Sequence, residues 1–362
     1  MCLLHAGIIE MRYNGTGDLA LLGIARHAGE NDVKNQAWVT VWQQGKVREQ
    51  RFAEDKLREA LQDPTARIWV DIEGELGSMG SVLARAFKLS RITLEGINEV
   101  RERAKLVSGN GYFYLVMHGM SYTAGSSETD APKLDIAFGS QFLLTIHREP
   151  LPSVAALRAA VKTEKQEENP LGRGIAILLY EVLDTLVDAY YPVLDTLDDE
   201  IDTLENQAIA AASDEVQAHM FRVKRAVTLL RRVMNPQIEV VNALITRTGE
   251  LIPTEIEPYF SDVHDHLIRC FEILDSYRDL MSSLLDVYLT TVSNRLNQVM
   301  KQMTIIATIF MPITFITGVF GMNFGHSPQV EHDFGGLFWV ALLVMAAITI
   351  IQIWIFRRRG WL

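Results

Sequence analysis

From Gln302 to Val330 the sequence carries no Asp, Glu, Lys or Arg, and Phe334 to Phe356 is a second charge-free stretch. A hydrocarbon core of about 30 Å takes about 20 helical residues at about 1.5 Å each, and each stretch supplies that many. Two buried helices of a large soluble core would pass the same length test. The bilayer is favoured because Leu337 to Phe356 is apolar almost all round and Arg357-Arg358-Arg359 follows at once. At the outer end of the first stretch lies Phe320-Gly321-Met322-Asn323, a short glycine-bearing turn. That position suggests a pore mouth.

The rest of the chain has a soluble composition. Charged residues make up 22% of the sequence and mean hydropathy is only +0.09, so most of the 362 residues lie outside the bilayer. Met1 to Ile9 has no basic leader and soon meets Glu10 and Arg12, unlike a signal peptide. The large domain is therefore expected to stay on the side where it is made. The triple arginine holds the C-terminus in the cytoplasm by the positive-inside rule, and two spans bring both termini to that side. An inner or plasma membrane protein is expected, with only 324–336 facing outward. Cys2 and Cys270 lie far apart without metal-ligand spacing, which fits ordinary thiols in a reducing cytosol.

The cytoplasmic part changes character near residue 165. Before it, Ala37 to Gln43, Arg67 to Ile72, Tyr112 to Met120, Lys133 to Phe138 and Gln141 to His147 are aromatic and β-branched runs that predict strands. Glu54 to Leu61 and Ser81 to Leu89 have helical spacing, so 1–165 is expected to form an α/β domain with a sheet. The hydrophilic Thr123 to Asp130 predicts a hairpin loop. No glycine-rich phosphate loop is present: Gly15-Thr16-Gly17 lacks a helix start, and Gly74 to Gly80 has no following Lys-Ser/Thr. Neither a nucleotide nor a nucleic-acid partner is expected.

After Pro170 the patterns are long and helical. Ile175 to Ala212 and Ser213 to Thr248 predict two helices, and a third begins near Thr254 and runs into the first span. Continued to Asn323 it would be about 100 Å long, more than a monomeric domain covers. Pro258 fits its first turn, whereas Pro312 lies inside the span and would free a carbonyl or kink the helix. The expected division is 166–301 for the long-helix stalk, 302–323 and 337–356 for the spans and 357–362 for a basic tail. On the first span Asn297, Met300, Thr304, Ala307, Met311, Thr314, Gly318 and Gly321 recur at alternating steps of three and four, with Met303 beside them. They are small, polar or flexible. Between them stand Ile305, Ile306, Ile309, Phe310, Ile313, Phe315, Ile316 and Val319, suited to lipid or the second span. On the stripe alone, pore lining and a small-residue packing seam stand level. Asn323 and Gly321, with oxygens at the open end, favour the pore.

Asn297 to Lys301, Thr304 to Pro312, Gly321-Met322-Asn323 and the basic end Arg357 to Leu362 closely resemble the CorA family of divalent-cation channels and transporters, as does Leu284 to Leu289. The resemblance is strong over the last hundred residues and extends upstream only in layout. It implies an α+β membrane protein assembled as a homopentamer. A cytoplasmic α/β domain and long helices would form a funnel, with the first span lining the pore and the second ringing it. Gly321, Met322 and Asn323 would select the ion. A related branch, the ZntB zinc transporters, shares the architecture. Acids bridged by magnesium between subunits are implied as regulators, and Asp262 and Asp286 fall on matching positions. The segment Leu94-Glu95-Gly96-Ile97-Asn98 resembles the family's Leu-Glu-Asp-Ile but has Gly96 for the Asp, which leaves Glu95 or Glu99 as substitutes.

Mg2+ suits such a mouth, because it gives up water reluctantly and neutral amide and carbonyl oxygens can hold it through its waters. A directly coordinating zinc site would favour imidazole or thiolate, which the stripe lacks. His326 and His332 in the external loop leave Zn2+, Ni2+ and Co2+ open. Inward movement of a divalent ion gains about 4.6 kcal/mol per 100 mV, so no nucleotide is needed, although proton coupling stays open. Between Arg173 and Arg222 there are eleven acids and no Lys or Arg, densest at Asp198-Asp199-Glu200 and Asp202. They are either a solvated face or a cation-gathering one. A nonselective channel would not need the Gly-Met-Asn turn. A membrane-anchored enzyme would need a reactive constellation that the scattered His118, His147, His264 and His266 do not make.

Overall fold

Alternating apolar residues become strands in the computed structural model, which describes residues 36–125, 129–163, 165, 168–210, 213–247, 249–321 and 334–361. The strands are β1 (Gln36–Gln43), β2 (Lys46–Arg51), β3 (Arg67–Glu73), β4 (Lys105–Ser108), β5 (Tyr112–His118), β6 (Ser121–Tyr122), β7 (Thr129–Asp130), β8 (Lys133–Gly139) and β9 (Phe142–His147). Seven of them form a mixed sheet in the order β2-β1-β3-β9-β8-β5-β4. The β3–β9 pair is parallel, while β1–β2, β1–β3 and β8–β9 are antiparallel. The short β6–β7 pair closes the hairpin expected over 123–130.

Two strands lack a sequence signal. Strand β2 reads Lys-Val-Arg-Glu-Gln-Arg because it is an edge, where charge discourages pairing with another chain. A two-residue turn folds it onto β1, with φ of 52° at Gln44 and 76° at Gly45. Both positive angles match the twist of a hairpin, but only the glycine advertises it. Strand β4 is the opposite edge.

The helices follow from the faces the sheet must cover. Val39, Val41, Ile68, Val70, Ile72, Leu144 and Ile146 form one core with Leu57 of α1 (Glu54–Leu61), Leu83 and Phe87 of α2 (Met79–Phe87) and Ile97 of α3 (Arg91–Asn98). The opposite face holds buried polar groups in register: Trp69 Nε1 donates to Thr145 Oγ1 at 3.0 Å, which donates to Asp71 Oδ1 at 2.7 Å. Helices α4 (Pro152–Ala160) and α5 (Pro170–Arg173) follow the last strand. Described residues up to Glu102, Val107–Val116 and Lys133–Leu179 make up this first compact unit.

The second unit takes in Arg103–Leu106, the described part of Met117–Pro132 with β6 and β7, and the described residues from Tyr180 on; its helices are α6 (Ile175–Asp188, whose first turn belongs to the first unit), α7 (Tyr191–Ala210), α8 (Asp214–Arg247), α9 (Glu257–Gly321) and α10 (Phe334–Arg358). The single helix expected over 175–212 is two, broken at Ala189-Tyr190. Pro192 accompanies the break: it has no amide hydrogen for the carbonyl of Asp188 and stands in the first turn of α7, where none is needed. Helix α9 has 65 residues and is about 98 Å long; it starts at Glu257 rather than Thr254 and continues unbroken through Pro312. Its buried residues are Phe260, Val263, Leu267, Cys270, Leu274, Tyr277, Met281, Leu284 and Tyr288, one every three or four positions. This seam packs on α7 and α8. Tyr288 OH donates to the carbonyl of Ser213 at 3.2 Å, so the α7–α8 hairpin ends level with Tyr288. Helix α10 starts at Phe334, earlier than the expected Leu337, and closes with a left-handed Gly360 (φ 66°), whose amide donates to the carbonyl of Arg357 while that of Trp361 donates to the carbonyl of Phe356.

Asp135 on β8 is buried between Lys133 Nζ at 2.9 Å and the Tyr114 hydroxyl, which donates at 2.6 Å. Burial outweighs both partners and pushes its carboxyl from 3.8 up to about 6. A folded-state value above the unfolded one means the folded protein holds the extra proton, so stability falls as pH rises from about 4 to about 6, by on the order of 3 kcal/mol. Asp135→Asn keeps an acceptor for Tyr114 without the ionisation. Denaturant unfolding followed by tryptophan fluorescence should lose this pH dependence in the variant.

Candidate ion pathway

Beyond Tyr288 the same face of α9 finds a different partner. Residues 289–304 are almost all exposed in the single chain, and the next buried side chain is Ile305, against α10. Ile305, Ile309, Pro312, Ile313 and Ile316 are the less exposed positions of the first apolar stretch. They continue the seam that packs on α7 and α8, now turned to α10. At about 100° per residue, Met300, Ala307, Met311, Thr314 and Gly318 lie about 180 to 240° round the helix from Ile305. All five are exposed, Met311 at 71%. Asn297, Met303, Thr304 and Gly321 are exposed as well. The bulky set is divided: part of it meets α10, while Phe310 and Phe315 remain exposed. Met322, Asn323, His326 and His332 lie outside the described residues.

Stepping back along α9 by threes and fours, the stripe passes Ser293, Thr290, Asp286, Ser283, Asp279, Ser276 and Glu272, all exposed. Four hydroxyls on it have their protons committed to carbonyls one turn earlier: Ser276 to Glu272 at 3.0 Å, Ser283 to Asp279 at 3.1 Å, Thr290 to Asp286 at 2.9 Å and Thr304 to Met300 at 2.8 Å. Their lone pairs are what remain to face outward. Chemically the stripe carries oxygen acceptors interrupted by Met300, Ala307, Met311 and Gly318, with its carboxylates confined to the part before Thr290.

Where the two apolar stretches meet their charged ends, Lys301 Nζ donates to the carbonyl of Gly360 at 2.9 Å and lies 5.9 Å from the Trp361 ring centre. Within the span Gln352 Nε2 donates to the carbonyl of Thr308 at 3.0 Å, a contact no sequence pattern announces.

The expected regulatory residues do not form one group. Asp262 and Asp286 are both exposed on α9, about 36 Å apart along it. Glu95 on α3 is exposed and pairs with Arg91 at 2.7 Å, while the Glu99 carbonyl accepts from Lys133 Nζ at 2.8 Å. Around Asp262 the fold does bring together groups able to ligate a metal. A carboxylate oxygen each from Asp184 and Asp188 and a ring nitrogen of His266 lie within 4.8 Å of one another. His266 Nδ1 is 4.0 Å from Asp188 and its Nε2 is 3.9 Å from Asp262. Burial, then the charge of Asp188, holds the Asp184 carboxyl above its ordinary range. The acid run of α7 is mixed in role. Glu200 is buried and accepts from Gly125 N–H at 2.9 Å, from Tyr122 and from His219, whereas Asp198, Asp199 and Asp202 are exposed. Burial works against the Glu200 carboxylate, but those three donors hold it below the ordinary value.

Residues 66–358 match the family model described as CorA-like Mg2+ transporter protein. The chain belongs to the CorA family. It is 32% identical over 309 residues to the cobalt/magnesium transport protein CorA of Thermotoga maritima, covering 83% of this chain and 85% of that one. It is 30% identical to the putative metal ion transporter YfjQ of Bacillus subtilis, over 83% of this chain and 91% of that one. The solved structure of the CorA magnesium transporter from Methanocaldococcus jannaschii superposes with a TM-score of 0.74 at 22% identity, covering 90% of this chain and 98% of the other. This shared CorA fold has a soluble N-terminal domain, a long helix and two C-terminal helices apolar enough to cross a membrane, with mean hydropathy of 2.0 and 2.4 in their most apolar windows.

In this CorA-family chain the Asp184–Asp188–His266 group has hard oxygen ligands and one imidazole, a donor set suited to Mg2+ or, with the nitrogen, Co2+. The i, i+4 spacings Asp184/Asp188 and Asp262/His266 were the available signal, hidden because nothing in the sequence opposes α6 to α9. Co2+ should raise the thermal midpoint of the purified protein, and Asp184→Asn or His266→Ala should reduce that rise several-fold. A proton on Asp184 competes with the ion, so the rise should shrink as pH falls, starting above the pH at which an ordinary carboxylate titrates. Equal shifts in all three proteins would rule out binding there.

Proposed function

We propose that this chain is a divalent-cation transporter, carrying Mg2+ inward and accepting Co2+ and Ni2+, through a pore on the axis of a homopentamer. The observation that carries the reading is the exposed stripe of α9, Asn297 to Gly321, facing away from its helical partners. A helix that spends one face on α7, α8 and α10 and leaves a 3.5-residue repeat of small and oxygen-bearing residues uncovered is suited to symmetric copies around an axis. The spans are assigned to 302–323 and 337–356, with 324–336 outside and both termini in the cytoplasm of an inner or plasma membrane. Gly321, Met322 and Asn323 form the selecting ring. Its neutral oxygens hold the hydrated ion without a carboxylate that would trap it. The membrane potential supplies the driving force, and neither a nucleotide nor a catalytic step is required. The ions bound at Asp184, Asp188, His266 and Asp262 favour the closed assembly when the cell is replete, by preferential binding to that state.

Fluorescent-dye measurement of Mg2+ entry into liposomes under an inside-negative potential tests the reading directly. Asn323→Ala should abolish entry while the assembly elutes unchanged from a sizing column; uptake near wild type would remove the mouth assignment. The two faces of α9 should also separate. Met311→Asp places an acid from each copy on the axis and should wet the constriction and raise flux several-fold. Ile309→Asp sets a charge against α10 at about 2.5 to 3.5 kcal/mol per copy and should block insertion or assembly. Matching behaviour of this pair would reassign the pore face.

A further inference from the structure

Helix α9 places a proline where a backbone has least help. Pro312 carries no amide hydrogen, so the carbonyl of Thr308, four residues earlier, has lost its helical donor. Water would replace that donor at a surface, but the hydrocarbon region supplies none. The structure fills the gap from the other helix, since Gln352 Nε2 on α10 lies 3.0 Å from the Thr308 oxygen. Gln352 is half-buried between the apolar Ile351 and Ile353, and among the described residues its Oε1 has no hydrogen-bond partner. The bond to Thr308 is therefore the contact that justifies an amide at this depth. Helix α9 stays helical through Pro312 to Gly321.

We propose that Gln352 is a positioning residue of the permeation path, its side-chain amide standing in for the missing backbone donor and tying α10 to the proline hinge of α9. The consequence for flux rests on the transport reading above; the bond itself does not. Met311, next to the hinge, and Thr314, just beyond it, face away from α10. The segment from Pro312 to Gly321 is a lever of about 15 Å, so a change in bend of about 10° swings its outer end by about 2.5 Å. That is enough to alter a ring of facing side chains. Without Gln352 the freed carbonyl has no fixed partner and the bend is no longer set.

The test is a two-residue cycle. Gln352→Met removes the donor at nearly constant volume and should change maximal Mg2+ uptake into liposomes by about three- to fifteenfold, the range of an interhelical hydrogen bond. The concentration for half-maximal uptake should not move, because the mouth is untouched. Pro312→Ala restores the backbone donor, and in that background Gln352→Met should have no effect on uptake. Equal effects in both backgrounds, or no effect in the wild-type background, would overturn the proposal. The same four proteins melted in detergent test the bond without any transport. Non-additive midpoints support it even if the wild type carries no ion, which would reject only the transport reading, while additive midpoints overturn it.

Discussion

One apolar seam organises the second unit. From Phe260 to Tyr288 a buried side chain recurs every three or four residues of α9, and the same face resumes at Ile305 against α10. Burial of that seam on α7 and α8 supplies most of the hydrophobic stabilisation available to a helix about 98 Å long, which could not stand alone in water. Because the buried positions keep the same three-and-four spacing on either side of the exposed 289–304, they also determine which positions are left over. The uncovered stripe from Glu272 to Gly321 is the geometric complement of the packing, and its chemistry is free of any duty to the single chain's core.

The bilayer imposes the second constraint. Polar groups in the spans are costly without partners, and several described ones find them within the protein. Thr304 and Thr317 donate to the carbonyls of Met300 and Ile313 on their own helix, while Gln352 reaches across to Thr308. Lys301 meets the carbonyl of Gly360 and the Trp361 ring where the apolar stretches end, a charged and aromatic belt typical of an interface. In the soluble units burial is tuned by charge instead. Asp135 is pushed up because desolvation exceeds the help of Lys133 and Tyr114, whereas Glu200 is held down by three donors. In the two carboxylates the balance between desolvation and the donors and charges around them falls on opposite sides.

Periodicity made the spans, the long third helix, most central strands and the stripe legible in the sequence. These features are local or repeat along one element, so a window of residues contains them. Strand β2 was hidden because an edge strand is selected for charge, and the break before Tyr191 because the long helical pattern masks the stop that Pro192 accompanies. The Asp184–Asp188–His266 group and the Gln352–Thr308 bond were hidden for a deeper reason. Each needs two helices brought together by tertiary packing, and no spacing within either helix records its partner. The proline told that a carbonyl would be free, but not which side chain would take it.

The ordering of chemistry along the stripe is consistent with inward conduction through the proposed pore. Carboxylates occur at Glu272, Asp279 and Asp286, and none follows toward the membrane. From Thr290 to Gly321 the stripe offers only hydroxyl, amide and carbonyl oxygens interrupted by Met300, Ala307 and Met311. A divalent ion meeting neutral acceptors keeps its waters and is held weakly, which lets it leave each site, whereas a carboxylate ring at mid-membrane would bind it tightly and slow release. Beyond the spans, where water is plentiful and screens the charge, the exposed acids of the stripe lower a cation's potential without trapping it. The hydroxyls between them, with protons committed to the helix backbone, add lone pairs and no opposing donor. Along the proposed path the acids thus lie only at the end of the stripe away from the spans, and the reverse order, with carboxylates inside the spans, would favour a trap over a conduit.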